Sequence, residues 1–439
     1  MEADHLSYKE LTSSTPLDPD WFCSHWWGES ILDFVSCVER HVELSRASEN
    51  KTGYWVCAYA NDQHVLDLDM GTDLESSSFR KAMRLAKGTL LLLDPGAKAF
   101  TRIWCDYEIY KTFVDDKQFD VVAVSSNNRR PRVLLQQPAP GETSYMKTKR
   151  EALFPVHILA HGMRVKLELG EASCQADKDK ILQCMAADCA ADSECHDHAG
   201  ALQSALSKAN STLNAYFALA AWPLAISRKL LVNDFDRKNP GTLKLPEVLC
   251  RDQSRTRLVL SFSHVQDTSD DDLGMLAEGM PPGLEEVELH FKSCTRVTDR
   301  GFTSLMISIG RLQGLRKLHL DFTSCVRITD MSMLALAESL PPYLMALQLD
   351  FAVCTQISEL GVRDLAQNLP DALQVFSASF KGTRFNRDFG TLDDIKALLD
   401  STQSLTIGKR FTQFRSERHL KTSQSGPKLN FAISNSGSM

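Results

Sequence analysis

Between residues 258 and 380 one short apolar pattern returns five times. Leu258-Leu260-Phe262 opens the series, followed by Leu284-Val287-Leu289-Phe291, Leu315-Leu318-Leu320-Phe322 and Leu344-Leu347-Leu349-Phe351. Leu373-Phe376-Ala378-Phe380 closes it in degenerate form. Leu260, Leu289, Leu320, Leu349 and Ala378 are equivalent, at spacings of 29, 31, 29 and 29 residues. A unit of this length cannot bury its own apolar edge, so stacked neighbours must bury it together. The alternating apolar positions predict a short strand per unit with its large side chains inward. The polar residues between them, Glu288, His319 and Gln348, are expected to face outward on a concave surface and to contact a protein partner.

Three units carry a cysteine at one offset: Cys294, Cys325 and Cys354. Each precedes a similar turn: Val297-Thr298-Asp299, Ile328-Thr329-Asp330 and Ile357-Ser358-Glu359. The spacings fall in the range of leucine-rich repeats, and the turn resembles the cysteine-containing class with its C-x-x-I-T-D signature. Two extra residues between strand leucine and cysteine set it apart. The thiols are expected beneath each turn as packing groups, with Thr or Asp capping the helix that follows. The repeats span 251–385, and residues 386–439 are read as a capping helix (Leu392, Ile395, Leu398, Leu399) and a disordered basic tail.

Ahead of the repeats, residues 21–170 alternate apolar runs with helical patterns, the signature of an α/β unit with a mainly parallel sheet. Expected strands begin at Trp21, Tyr54, Thr89 and Phe119, with a fifth at Val156-His157-Ile158-Leu159. Expected helices run from Glu29 to Leu44, Ser76 to Lys87 and Trp104 to Phe113. Residues 1–20 read as a disordered lead. Residues 171–250 read as a helical linker with Leu213, Tyr216, Phe217 and Trp222 inward and a break at Asn239-Pro240-Gly241.

Three blocks in this unit carry a resemblance. Phe22-Cys23-Ser24-His25-Trp26-Trp27-Gly28-Glu29-Ser30 is a strand entering a polar turn and a helix. Ser76–Asp94 is a helix and a long apolar strand, and Thr101-Arg102-Ile103-Trp104-Cys105-Asp106-Tyr107-Glu108-Ile109 follows. In order and spacing they resemble the TIR (Toll/interleukin-1 receptor/resistance) domain, and the chain is similar to protist TIR-like proteins with a W-C-x-x-E box. Trp26 and Trp27 stand where the family carries a polar residue, and Asn61-Asp62-Gln63-His64 replaces its arginine-glycine pattern.

The resemblance implies a flavodoxin-like parallel sheet, self-association into homo-oligomers, and in enzymatic members cleavage of the nicotinamide–ribose bond of NAD. It maps the assisting glutamate to Glu108. A fixed carboxylate beside the ribose stabilises an oxocarbenium-like transition state. Ser24 and His25, where open α/β sheets bind ligands, and Trp104 are the expected NAD contacts. The plainer alternative packs Trp104, Cys105 and Ile109 on the sheet and leaves a non-catalytic docking module.

Other classes are set aside. A formal charge of −7 on 439 residues lacks the basic face of a nucleic-acid binder. No run of 18 apolar residues and a polar, acidic start argue against a membrane span or signal peptide. Twelve scattered cysteines without an export signal suit a reducing compartment, hence the cytoplasm. Cys174, Cys184, Cys189 and Cys195 lie 10, 5 and 6 residues apart, too far for paired zinc ligands, so no metal or resident cofactor is expected. Asp267, Asp270, Asp271 and Asp272 read as a turn and helix cap. No phosphate loop, nucleophile elbow, kinase signature or F-box precedes the repeats.

Overall fold

The computed structural model describes residues 6–12, 15, 17–45, 52–61, 74–125, 128–191, 198–227 and 245–400. The chain is α/β, with two mostly parallel sheets. The first contains β1 (Trp21–Ser24), β2 (Tyr54–Trp55), β3 (Gly88–Leu93), β4 (Gln118–Val124) and β5 (Pro131–Leu134), in the order β2-β1-β3-β4-β5. Only β5 runs antiparallel to its neighbour. All six residues of β3 are buried, as a central strand covered on both faces requires. One covering helix, Ile31–Ser45, is pinned by a buried polar chain: His41 bonds Asp120 through Nε2 (3.0 Å) and Tyr54 through Nδ1 (2.8 Å).

Two expected strands differ. The run from Tyr54 stops pairing after Trp55 and turns into the helix Cys57–Ala60. The run at Val156 is a helix, Val156–Gly162, opened by Pro155. Ile158, Leu159 and Gly162 share one face of it. Gly162 lies so close to the Phe217 ring that a Cβ there would sit 2.3 Å from it.

Phe217 belongs to the helix His198–Ser227, in the segment expected to be a linker. It is instead a core layer: Leu213, Phe217 and Trp222 are buried in the cluster that also holds Val121 of β4 and Leu258 of the second sheet. Asn214 Nδ2 donates to Gly162 O (2.8 Å), and Tyr216 OH to Leu134 O (3.0 Å). The Asn239-Pro240-Gly241 break and the basic tail lie outside the described residues, and a short helix, Tyr8–Thr12, occupies part of the expected lead.

The second sheet holds β6 (Arg257–Ser261), β7 (Glu286–His290), β8 (Lys317–Asp321), β9 (Ala346–Asp350) and β10 (Val375–Ser379) in parallel, closed by antiparallel β11 (Asp388–Phe389). Leu260, Leu289, Leu320, Leu349 and Ala378 pair in a row. Behind them Phe262, Phe291, Phe322, Phe351 and Phe380 stack, with centroids 4.9–5.9 Å apart. Each thiol donates to the phenylalanine carbonyl of the preceding unit: Cys294 to Phe262 (3.2 Å), Cys325 to Phe291 (3.1 Å) and Cys354 to Phe322 (3.1 Å).

The turns also interlock. Asp270 accepts from Thr298 N (2.7 Å) and Oγ1 (2.6 Å), and Asp330 from Ser358 N (2.7 Å) and Oγ (2.6 Å). Gly301 and Gly361 allow this approach, since a Cβ at either would lie 2.6 and 2.5 Å from the aspartate oxygen. Thr298, Thr329 and Ser358 each cap the helix that follows, and Ser269 and Asp272 form a capping box. The helix Leu392–Asp400 closes the stack with Ile395 and Leu398 buried. No helix among the described residues is long and apolar enough to cross a membrane.

Candidate functional site

The carboxyl end of β1 carries the first candidate. Ser24 is its last residue, and Glu108 reaches it from the helix Ile103–Val114, which packs beside the strand. Glu108 is 7% exposed. Burial pushes it up to about 8, and the adjoining Ser24 hydroxyl pulls part of the way back. Among the described residues Ser24 Oγ is buried with no geometric hydrogen-bond partner, as is His25 Nε2. His25 Nδ1 contacts Glu29 at 2.9 Å, and Cys105 Sγ donates to His25 O at 3.5 Å. Buried polar groups without partners are uncommon in folded proteins and call for an explanation.

The fold therefore sets Glu108 against Ser24, while the His25 ring packs on Phe34 (4.9 Å) and Glu29. Trp104 is used differently. Its ring stacks on Phe79 (6.0 Å, 29°) and meets Tyr107 edge-on (6.4 Å), at the end of a chain through Trp55 and Phe22. One face of the half-buried ring is packed on Phe79. Gly28 lets Trp26 fold back, since a Cβ at Gly28 would lie 2.3 Å from that ring. Of the Asn61-Asp62-Gln63-His64 stretch, all but Asn61 lies outside the described residues.

The sheet face formed by β6–β10 is the second candidate. One paired row runs Val259, Glu288, His319, Gln348 and Ser377. Gln348 is exposed and His319 partly so. Glu288 is engaged within the chain: it accepts from Ser144 Oγ (3.3 Å) and lies 2.7 Å from His290 Nε2 and 3.4 Å from Arg257 Nη2. Ser144 begins the helix Ser144–Glu151, and Tyr145 beside it meets His264 edge-on at 5.1 Å. The front unit thus covers the β6–β7 end, which the sequence treated as free surface, and leaves β8–β10 open.

His290 and Asp321 sit in the next row and were not singled out from the sequence. The pairing of Glu288 with His319 and of His290 with Asp321 gathers two imidazoles and two carboxylates. Those carboxylates hold His290 up at about 9 against the opposing effect of burial. The signal was present as Glu288-x-His290 and His319-x-Asp321 one period of 31 residues apart.

A cavity of about 1080 Å³ lies between the two units, lined among others by Phe113, Lys117, Lys208, Arg255 and Arg257. It does not reach Glu108. Cys174 is exposed and Cys184 half-buried, while the side chains of Cys189, Cys195, His196 and His198 lie outside the described residues. Compared with protein-family models and with curated proteins, the chain matches none.

Proposed function

We propose that the chain is a cytoplasmic recognition protein that binds a protein partner on the open part of the repeat sheet. In this reading residues 251–385 form a leucine-rich-repeat solenoid and residues 21–170 a TIR-like module that self-associates. The parallel register of the equivalent leucines supports the first assignment. The strand order β2-β1-β3-β4-β5, which is also the flavodoxin-like order, supports the second. The carrying observation is asymmetry: the fold uses Glu288, while Gln348 in the same row is exposed. Gln348→Arg and Ser377→Arg should abolish capture of the partner and leave the melting temperature unchanged. Undiminished capture would contradict this reading.

A second reading follows from Ser24, His25 and Glu108: cleavage of the nicotinamide–ribose bond of NAD. Glu108 starts protonated near neutral pH. A bound cationic nicotinamide–ribose group would lower its pKa so that the proton passes to solvent. The remaining carboxylate would then face the developing oxocarbenium charge as the C–N electron pair leaves on nicotinamide. Water would add to the ribose carbon and give up its proton to solvent. Ser24 Oγ and His25 Nε2, buried without partners among the described residues, would supply polar contacts to the ligand once it is seated. Nicotinamide release should fall about 10²–10³-fold in Glu108→Gln. No release by the wild-type chain, or equal rates in both proteins, would overturn this reading and leave the recognition reading standing.

A further inference from the structure

We propose that Glu288, His290 and His319 form a binding site for a divalent transition-metal ion of the zinc type, with Asp321 orienting one of the histidines. The geometry of the three ligand atoms carries it. The ligand atoms of Glu288, His290 and His319 all lie within 4.8 Å of one another. Glu288 Oε1 is 2.7 Å from His290 Nε2 and 3.9 Å from His319 Nδ1. A tetrahedral ion about 2.0–2.2 Å from each donor needs the donors roughly 3.4 Å apart. Small rotations of these partly exposed side chains supply that spacing.

The surroundings suit the same role. Asp321 Oδ2 lies 3.7 Å from His290 Nδ1, and Asp321 Oδ1 accepts from Thr323 N at 2.9 Å. A carboxylate on Nδ1 fixes the tautomer that leaves Nε2 as the donor to metal. Arg257 holds Glu288 through Oε2, and Ser144 donates to Oε1, the oxygen that faces the histidines. Two imidazoles and one carboxylate favour zinc-like ions over magnesium or calcium, and leave a fourth position for water or for a group on a bound partner. The ion would tie β7 to β8 at the border between covered and open sheet. The site does not depend on the partner-binding reading.

The test uses the chelator-stripped full chain, titrated with Zn²⁺ and with Co²⁺, beside His290→Gln, His319→Gln and Asp321→Asn. The wild-type chain should bind one more equivalent of Zn²⁺ than either histidine variant. Asp321→Asn should keep it with affinity about 10-fold weaker. The corresponding Co²⁺ should show visible d–d bands without a thiolate charge-transfer band, which separates this site from the cysteines. Circular dichroism checks folding, and if one histidine variant unfolds, the other and Asp321→Asn carry the comparison. Equal Zn²⁺ stoichiometry in wild type and histidine variants, or thiolate bands accounting for all bound Co²⁺, would overturn the proposal.

Discussion

The carboxylate of Asp299 accepts both the backbone N–H (2.9 Å) and the hydroxyl (2.8 Å) of Thr329, a residue in the next repeat unit. Ser332 Oγ donates to the same group. Asp270, Asp299 and Asp330, the first acids of three successive helices, thus anchor the cap of the helix after each, so the stack is joined by charge-assisted hydrogen bonds as well as by leucines. Asp299→Ala strands these donors in a partly dry turn. Denaturant unfolding should show a loss of about 1–3 kcal/mol. Asp271→Ala, on an exposed side chain of the preceding helix, should change little.

His264, Ser293, Ser324 and Val353 occupy one offset in successive units, all with φ of 63–64°. This left-handed residue lies between each strand and the cysteine or turn that follows it. A β-branched side chain is strained there, and Val353 is 44% exposed, so little packing is lost on replacing it. Val353→Asn should raise stability by about 1 kcal/mol in a thermal melt.

The repeat thiols should be inert. Burial pushes Cys294 and Cys354 up to about 12 and Cys325 further still. Thiolate is the reactive form, so a thiol-specific reagent should label exposed Cys174 rapidly and these three only on unfolding. Labelling of Cys325 in the native protein would contradict its place beneath the Phe291 carbonyl.

Glu108 should make stability depend on pH. The folded state holds its proton to about 8, whereas an unfolded chain releases it near 4.5. The folded state therefore binds more protons between those values, so its stability falls as pH rises through that window and levels off above it. Glu108→Gln should flatten this slope and be the more stable protein at pH 9. An unchanged slope in the variant would place the titration elsewhere.

Much of the second sheet could be read directly from the chain, because a repeated apolar spacing fixes both the strands and their register. The first sheet was legible where strands are uniform, as in Leu90–Leu93. It was not legible at Val156–Gly162, a short apolar run that periodicity cannot divide between strand and helix. β5 escaped notice because it begins at Pro131 and carries Arg132, as an edge strand tolerates. The helix His198–Ser227 looked like a connector because its burial depends on surfaces distant in sequence. Of the two readings of Trp104, ligand contact and packing group, the stacking on Phe79 agrees with the second. The closeness of Ser24 to Glu108 followed from the end of β1 meeting the helix that comes after β3, whereas His290 and Asp321 required the strand register.

The most direct test of the recognition reading places a photo-crosslinking amino acid at Gln348 on the open sheet face or at Met331 on an exposed helix of the stack. After irradiation of cells that make the protein, Gln348 should give a discrete protein adduct that Met331 does not. The same adducts from both positions, or none from Gln348, would contradict partner binding on this face.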